Sequence, residues 1–120
     1  MDFEATRKGL HENVVAVPTT IWKAAGQLDL EANVANAEFL FRGGATAAVY
    51  AGGVGEHDRL SVDQHKELLA AVGQAAGDDV CLGSGLGRTL ERVGALAPAL
   101  AEAGVSWAML MPPDADDQEE

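Results

Sequence analysis

Residues 45–56 read ATAAVYAGGVGE, and the fold turns on how this stretch is parsed. Residues 45–51 are a run of small and apolar side chains of strand length, and Gly52-Gly53-Val54-Gly55 then reads as a loop. Loops leaving the C-terminal ends of parallel strands are where α/β proteins hold their ligands. Glycines there expose backbone N–H groups that can receive a carboxylate or a phosphate. A tight strand-to-helix turn with a structural Glu56 is an equally simple reading of the same residues.

The same grammar continues on both sides. Residues 14–17 (VVAV) form a short apolar run ending at Pro18, suited to a strand buried on both faces. Asp29 caps a helix running to about Arg42, with Leu30, Val34, Ala37 and Phe41 at helical spacing. Gly43-Gly44 supplies its left-handed stop. Ser61-Val62-Asp63-Gln64 is a capping box whose helix carries Leu68, Leu69 and Val72 and ends near Gly77. Residues 80–82 (VCL) form a third apolar run. Thr89 caps a further helix with Leu90, Val93, Ala97 and Leu100, ending at Gly104, and Pro98 inside it is expected to kink it near the carbonyl of Gly94. Residues 105–111 (VSWAMLM) are a fourth run, closed by Pro112-Pro113.

The order β-α-β-α-β-α-β repeats at roughly thirty residues, the size of a βαβ unit, and implies a parallel sheet with right-handed crossovers. An open doubly wound sheet and part of a closed barrel both satisfy it. Residues 1–113 are expected to hold four strands and three helices. Residues 114–120 (DADDQEE) read as an acidic tail or as the first turn of a helix that breaks off.

Nineteen acidic residues against 8 basic ones leave a formal charge of -11. That balance argues against nucleic acid, which needs clustered Lys or Arg, and against an anionic membrane surface. Lysine is confined to Lys8, Lys23 and Lys66; such a surface suits a high-salt cytoplasm, although ordinary solubility is the commoner explanation. Cys81 is the only cysteine, so no intrachain disulfide can form and a reducing compartment is expected. The charged start of the chain lacks the core of a signal peptide, and no apolar run reaches membrane-spanning length. The expected location is the cytoplasm.

Several side chains invite a chemical role and also admit a plainer one. His57-Asp58 beside the glycine loop is a candidate ligand pair, against the simpler expectation of a solvated loop histidine. His65 is expected on the exposed face of its helix, and no HxxxH or HxH spacing offers a metal site, so no metal is expected. Cys81 inside an apolar strand reads as packing. Trp22 and Tyr50 should flank the mouth of a barrel, Tyr50 lining a site or belonging to the core. Gly83-Ser84-Gly85-Leu86-Gly87-Arg88-Thr89 suggests a small nucleotide-binding α/β domain, but its spacing is GxGxG and no GKT or GKS follows.

The glycine loop also carries a family resemblance. Gly52-Gly53-Val54-Gly55-Glu56, followed by Leu60-Ser61-Val62-Asp63-Gln64, resembles the Gly-Thr-Thr-Gly-Glu signature and Leu-Ser/Thr-x-x-Glu/Gln helix start of the dihydrodipicolinate synthase / N-acetylneuraminate lyase family. Pro18-Thr19-Thr20-Ile21-Trp22, with Gly26 and Asp29 downstream, is similar to that family's Thr-Pro-Phe…Asp-Gly…Asp segment, and closer to the 5-dehydro-4-deoxyglucarate dehydratase subgroup, whose loop reads Ala-Gly-Gly-Thr-Gly-Glu. Residues 80–87 and the segment from Gly104 to Pro112 resemble its third and fourth strands. The resemblance runs from about Leu10 to the end of the chain.

By that resemblance the fold is the N-terminal half of a (β/α)8 barrel, with parallel strands in order 1-2-3-4 and helices on one side. The implied activity is that of a Schiff-base-forming lyase, an aldolase or dehydratase acting on a 2-keto acid or keto-sugar acid. Thr20, Gly52, Gly53 and Val54 would bind the substrate carboxylate, and no separate cofactor is implied. Gly53 and Val54 stand where the family carries its loop threonines, so two hydroxyls are absent. Pro113 and Asp114 stand where the family's proton-relay tyrosine follows the fourth strand. The imine-forming lysine would fall two strands further on, past residue 120, so no catalytic residue is assigned and the chain is expected to be inactive alone. The expected partners are the keto acid and either a second copy or a complementary C-terminal half. A non-catalytic half-barrel assembly module is the alternative, because half a barrel leaves apolar strand edges open.

Overall fold

Side-chain oxygens set the helix starts. In this computed structural model, which describes residues 1–113, Asp2, Asp29, Ser61 and Thr89 each accept a hydrogen bond from a backbone N–H of the turn they open. They begin α1 (Phe3–Glu12), α2 (Leu30–Arg42), α3 (Val62–Ala76) and α4 (Leu90–Glu102). Ser61 and Gln64 form both bonds of the capping box, at 3.1 and 3.0 Å. Helix α1 was not among the expected elements, although Asp2 as cap and Glu4 in the first turn are its signals. Pro98 lies inside α4, which continues to Glu102, so the proline does not end the helix.

Three strands, β1 (Ala47–Tyr50), β2 (Cys81–Gly85) and β3 (Trp107–Met109), pair in parallel in the order β1-β2-β3, with Ala48 opposite Leu82 and Ser84 opposite Ala108. The first expected strand, residues 14–17, is reduced to one parallel bridge between Ala16 and Ala48. Ala16 donates to Ala47 O and accepts from Val49 N, each at 2.9 Å. Extending that ladder would require the next donor from residue 18, and Pro18 has no N–H. The segment still occupies the β1 edge, so its place is as expected and only its length is corrected.

The architecture is a wall of a TIM barrel: parallel strands in sequential order, with a helix crossing back between one strand and the next. Ala48, Tyr50 and Leu82 project to one face and pack with Ala37 of α2 and Leu68, Leu69 and Val72 of α3, with Leu100 of α4 against them. Thus α2, α3 and α4 share one side of the sheet. Successive strand residues face opposite ways, so Cys81 points to the other side, where α1 lies. Its Sγ donates to Thr6 O at 3.7 Å, and a Cβ on Gly9 would come within 2.8 Å of Cys81 Cβ. Cys81 is buried packing, as its sequence context suggested. The acidic stretch 114–120, read as tail or helix start, lies outside the described residues.

Candidate functional site

The loop following β1 begins and ends in left-handed backbone. Ala51 has φ 52° and Glu56 φ 58°, conformations that non-glycine residues adopt at a cost. Between them, Gly55 packs back on the start of the loop: a Cβ there would sit 2.7 Å from Ala51 N and 3.0 Å from Ala51 Cα. Gly85 of β2 is equally obligatory, because a Cβ would be driven into the Ala51 carbonyl. Gly52 packs on Met109, whose Cε would stand 3.0 Å from an added Cβ. The loop is therefore seated on β2 by a backbone approach that only Gly85 permits, and on β3 by contact with the Met109 side chain.

The four residues expected to bind a carboxylate divide into two kinds. Gly53 and Val54 are exposed at the crest, Val54 by 57%. Their amides donate to no backbone carbonyl among the described residues. Gly52 is buried, and its carbonyl accepts from His57 N at 3.2 Å and faces His57 Nδ1 at 3.2 Å. Thr20 is buried as well, and its hydroxyl donates to Gly55 O at 2.5 Å. Thr20 therefore braces the loop, with its own proton already committed.

A second tie joins the same two segments. Trp22 Nε1 donates to Glu56 Oε2 at 2.9 Å, Arg59 Nη1 lies 3.1 Å from Glu56 Oε1, and the Arg59 guanidinium stacks 4.7 Å from the centre of the Trp22 ring. The Trp22 and Arg59 hydrogen bonds hold the Glu56 carboxyl below its ordinary range. Trp22 belongs to a small hairpin, bridged antiparallel to Leu28, which Asn33 pins through both the N–H and the carbonyl of Ile21.

Both histidine expectations are corrected. His57 is 4% exposed rather than solvated, because the 3-10 turn His57–Arg59 folds it under the loop. Its Nε2 lies 2.8 Å from Asp58 Oδ1, at ion-pair distance but without hydrogen-bond alignment. His65 is fully buried on the inner face of α3, not on its exposed face. Arg92 donates to His65 Nδ1 at 2.9 Å, so Nε2 carries the proton and donates to Ser84 Oγ at 2.9 Å, and Ser84 donates to Gly85 O at 2.8 Å. Burial, then the Arg92 charge and His57, push His65 down to about 4. Helical periodicity treats a polar residue as outward-facing, and the partner that draws this one inward, Ser84 of β2, lies 19 positions further along the chain.

The remaining candidates fall into structural roles. Gly83, Ser84 and Gly85 lie within β2, so the GxGxG motif is strand rather than phosphate cradle. A Cβ on Gly83 would be driven into the Trp107 indole, which explains the glycine by close packing. Tyr50 is in the core, not at the mouth; burial pushes its hydroxyl up to about 12. Lys8, Lys23 and Lys66 are all exposed. Among the described residues no three His, Cys, Asp or Glu side chains converge as a metal site, and no helix is long and apolar enough to cross a membrane.

This geometry has close counterparts. The profile of the Dihydrodipicolinate synthetase family matches residues 10–114. The 4-hydroxy-tetrahydrodipicolinate synthase of Synechococcus sp. (strain CC9605) is 35% identical over 102 residues, covering 83% of this chain and 33% of that protein. Among solved structures, dihydrodipicolinate synthase from Aquifex aeolicus superposes with a TM-score of 0.74 at 22% identity, over 82% of this chain and 33% of its own. A prophage protein of the dihydrodipicolinic acid synthase family from E. coli K12, in complex with pyruvate, gives 0.76 at 22% identity, over 84% and 34%. The chain spans about a third of the length of these relatives.

Proposed function

The chain belongs to the dihydrodipicolinate synthetase family, and from that membership we propose that it forms the carboxylate-recognition part of a Schiff-base lyase acting on a 2-keto acid or keto-sugar acid. The observation that carries this reading is the loop after β1, presented at the C-terminal end of a barrel wall with the Gly53 and Val54 amides free of backbone partners among the described residues. Two adjacent N–H groups on exposed residues, without backbone acceptors, can receive a carboxylate. Without threonine hydroxyls the loop offers fewer hydrogen bonds, so recognition here rests on backbone amides and on the rigidity of the loop. Thr20 contributes by fixing Gly55 rather than by touching the substrate.

Imine chemistry requires a neutral amine held against the substrate carbonyl. Lys8, Lys23 and Lys66 lie on α1, the Trp22 hairpin and α3, all exposed to solvent rather than enclosed in a pocket that would hold a substrate carbonyl against them. In our reading these 120 residues bind the keto acid without forming the imine. The complementary part of the barrel, or a second copy, is the partner that completes the wall. A single buried cysteine and the family's chemistry fit a reducing cytoplasm.

Two measurements test the reading. Pyruvate should slow amide exchange in peptides covering residues 52–55, while borohydride reduction in its presence should leave the mass of every lysine-containing peptide unchanged. A reduced pyruvyl adduct on Lys8, Lys23 or Lys66 would overturn the division between binding and imine formation. Absence of any pyruvate-dependent protection would overturn the carboxylate role.

A further inference from the structure

The glycine loop is held from outside by a cluster that the carboxylate role does not itself require. Its C-terminal hinge, Glu56, sits at φ 58°, where a residue with a Cβ is disfavoured and glycine or asparagine would be easier. A strained conformation persists only where surrounding contacts over-determine it, and such residues concentrate at ligand sites. Here both carboxylate oxygens are occupied: Oε2 by Trp22 Nε1 at 2.9 Å and Oε1 by Arg59 Nη1 at 3.1 Å. Arg59 in turn covers the Trp22 ring at 4.7 Å, closing a three-membered cluster. Trp22 is anchored independently, through the Leu28 bridge and the Asn33 bonds to Ile21.

We infer that Glu56, with Trp22 and Arg59, is a positioning clamp that locks the Gly52–Gly55 loop in the conformation presenting its amides to a carboxylate. The inference rests on the reading given under Proposed function and adds residues to it. Without the clamp, a loop containing three glycines in four positions has many alternative conformations, and ordering it on binding would cost affinity. The two donors reach Glu56 from different segments, the hairpin and the 3-10 turn, so the carboxylate fixes the loop relative to both. A glycine at position 56 would relieve the strain and remove the clamp, and these two effects have opposite signs.

Trp22→Phe removes one donor and leaves the strained backbone in place, so it separates the clamp from the strain. Hydrogen exchange is followed in the full chain, without ligand, for peptides covering residues 50–60 and, as an internal control, α3. Glu56→Gly and Trp22→Phe should each speed exchange of the loop by about tenfold, the equivalent of losing one charge-assisted hydrogen bond. Glu56→Gln, with one acceptor oxygen for two donors, should fall between them and the parent. Exchange in α3 should stay as in the parent. Unchanged loop exchange in both Glu56→Gly and Trp22→Phe would overturn the proposal. So would equal acceleration of α3, which would make the cluster a folding contact. Pyruvate protection in the parent reports on the keto-acid reading alone; the ligand-free rates report on the clamp, so either can fail without the other.

Discussion

His65 is where a single residue couples the sheet to two helices. It receives Arg92 at Nδ1 and gives its proton to Ser84, which leaves no room for a second proton on the ring. An ordinary histidine titrates near 6.5, whereas this one is pushed to about 4. Between those values the unfolded chain takes up a proton that the folded chain refuses. The neutral ring's contribution is therefore complete above about pH 6.5 and is lost as pH falls toward 4, an effect on the order of 3 kcal/mol. At fixed protein concentration, the urea midpoint should drop steeply between pH 7 and pH 4.5. His65→Gln should be less stable at pH 7 and flatter across that range. Parallel slopes in the two proteins would remove His65 as the cause. Cys81, by contrast, asks for nothing beyond space beside α1, and its reading from sequence as inert packing stands.

Among the elements, α3 and α4 illustrate two different glycines. Gly73 faces α4 at a point where a Cβ would be driven into the carbonyl of Ala103. Gly94, inside α4, has nothing within 4 Å of where its Cβ would stand. Helix propensity alone ranks both substitutions to alanine as stabilising by about 0.5–1 kcal/mol. Tertiary packing reverses the sign at Gly73. Chemical denaturation should show Gly94→Ala gaining stability by about that amount and Gly73→Ala losing about 1–3 kcal/mol, the usual range for overpacking. A gain at both positions would mean that the α3–α4 approach relaxes freely. The same contrast between local and tertiary control governs the chain's first strand, where Pro18 stops a ladder that the apolar run of residues 14–17 would have continued.

At the scale of the whole molecule, the described wall leaves several large apolar side chains exposed to water. A groove of about 500 Å³ runs between Leu90 and Val93 of α4 and Leu110 and Met111 after β3, and Leu90 and Leu110 are 90% and 66% exposed. Val14 is 90% exposed and Phe39 75%. Covering one such side chain is worth about 1.5–3 kcal/mol, so several together rival the ~5–15 kcal/mol that stabilises a typical domain. In a closed barrel every strand has two neighbours, whereas among the described residues β3 has one. The 120-residue chain is therefore expected to self-associate, or to bind a complementary barrel segment, and to bind a hydrophobic dye strongly when diluted. Light scattering with denaturation at several concentrations tests this directly. A monomer that unfolds sharply and independently of concentration would refute it.

The sequence by itself determined the alternation of strands and helices, three of the four helix starts and the place of the glycine loop. These are local matters: a capping oxygen, a helical period or a glycine before a helix acts within one or two turns of the chain. The family, too, was legible, because its motifs are short and ordered. Only the tertiary structure decided that His65 turns inward, that the Thr20 hydroxyl donates to Gly55 O, and that Glu56 ties the loop to Trp22. Each of these depends on a partner between 19 and 35 positions away, and nothing in a residue's own neighbourhood specifies such a partner. The choice between open sheet and barrel wall is of the same kind, since periodicity is identical in both. It was made where β1, β2 and β3 lie in sequential order with α2, α3 and α4 on one face, because only side chains packed across that face distinguish the two.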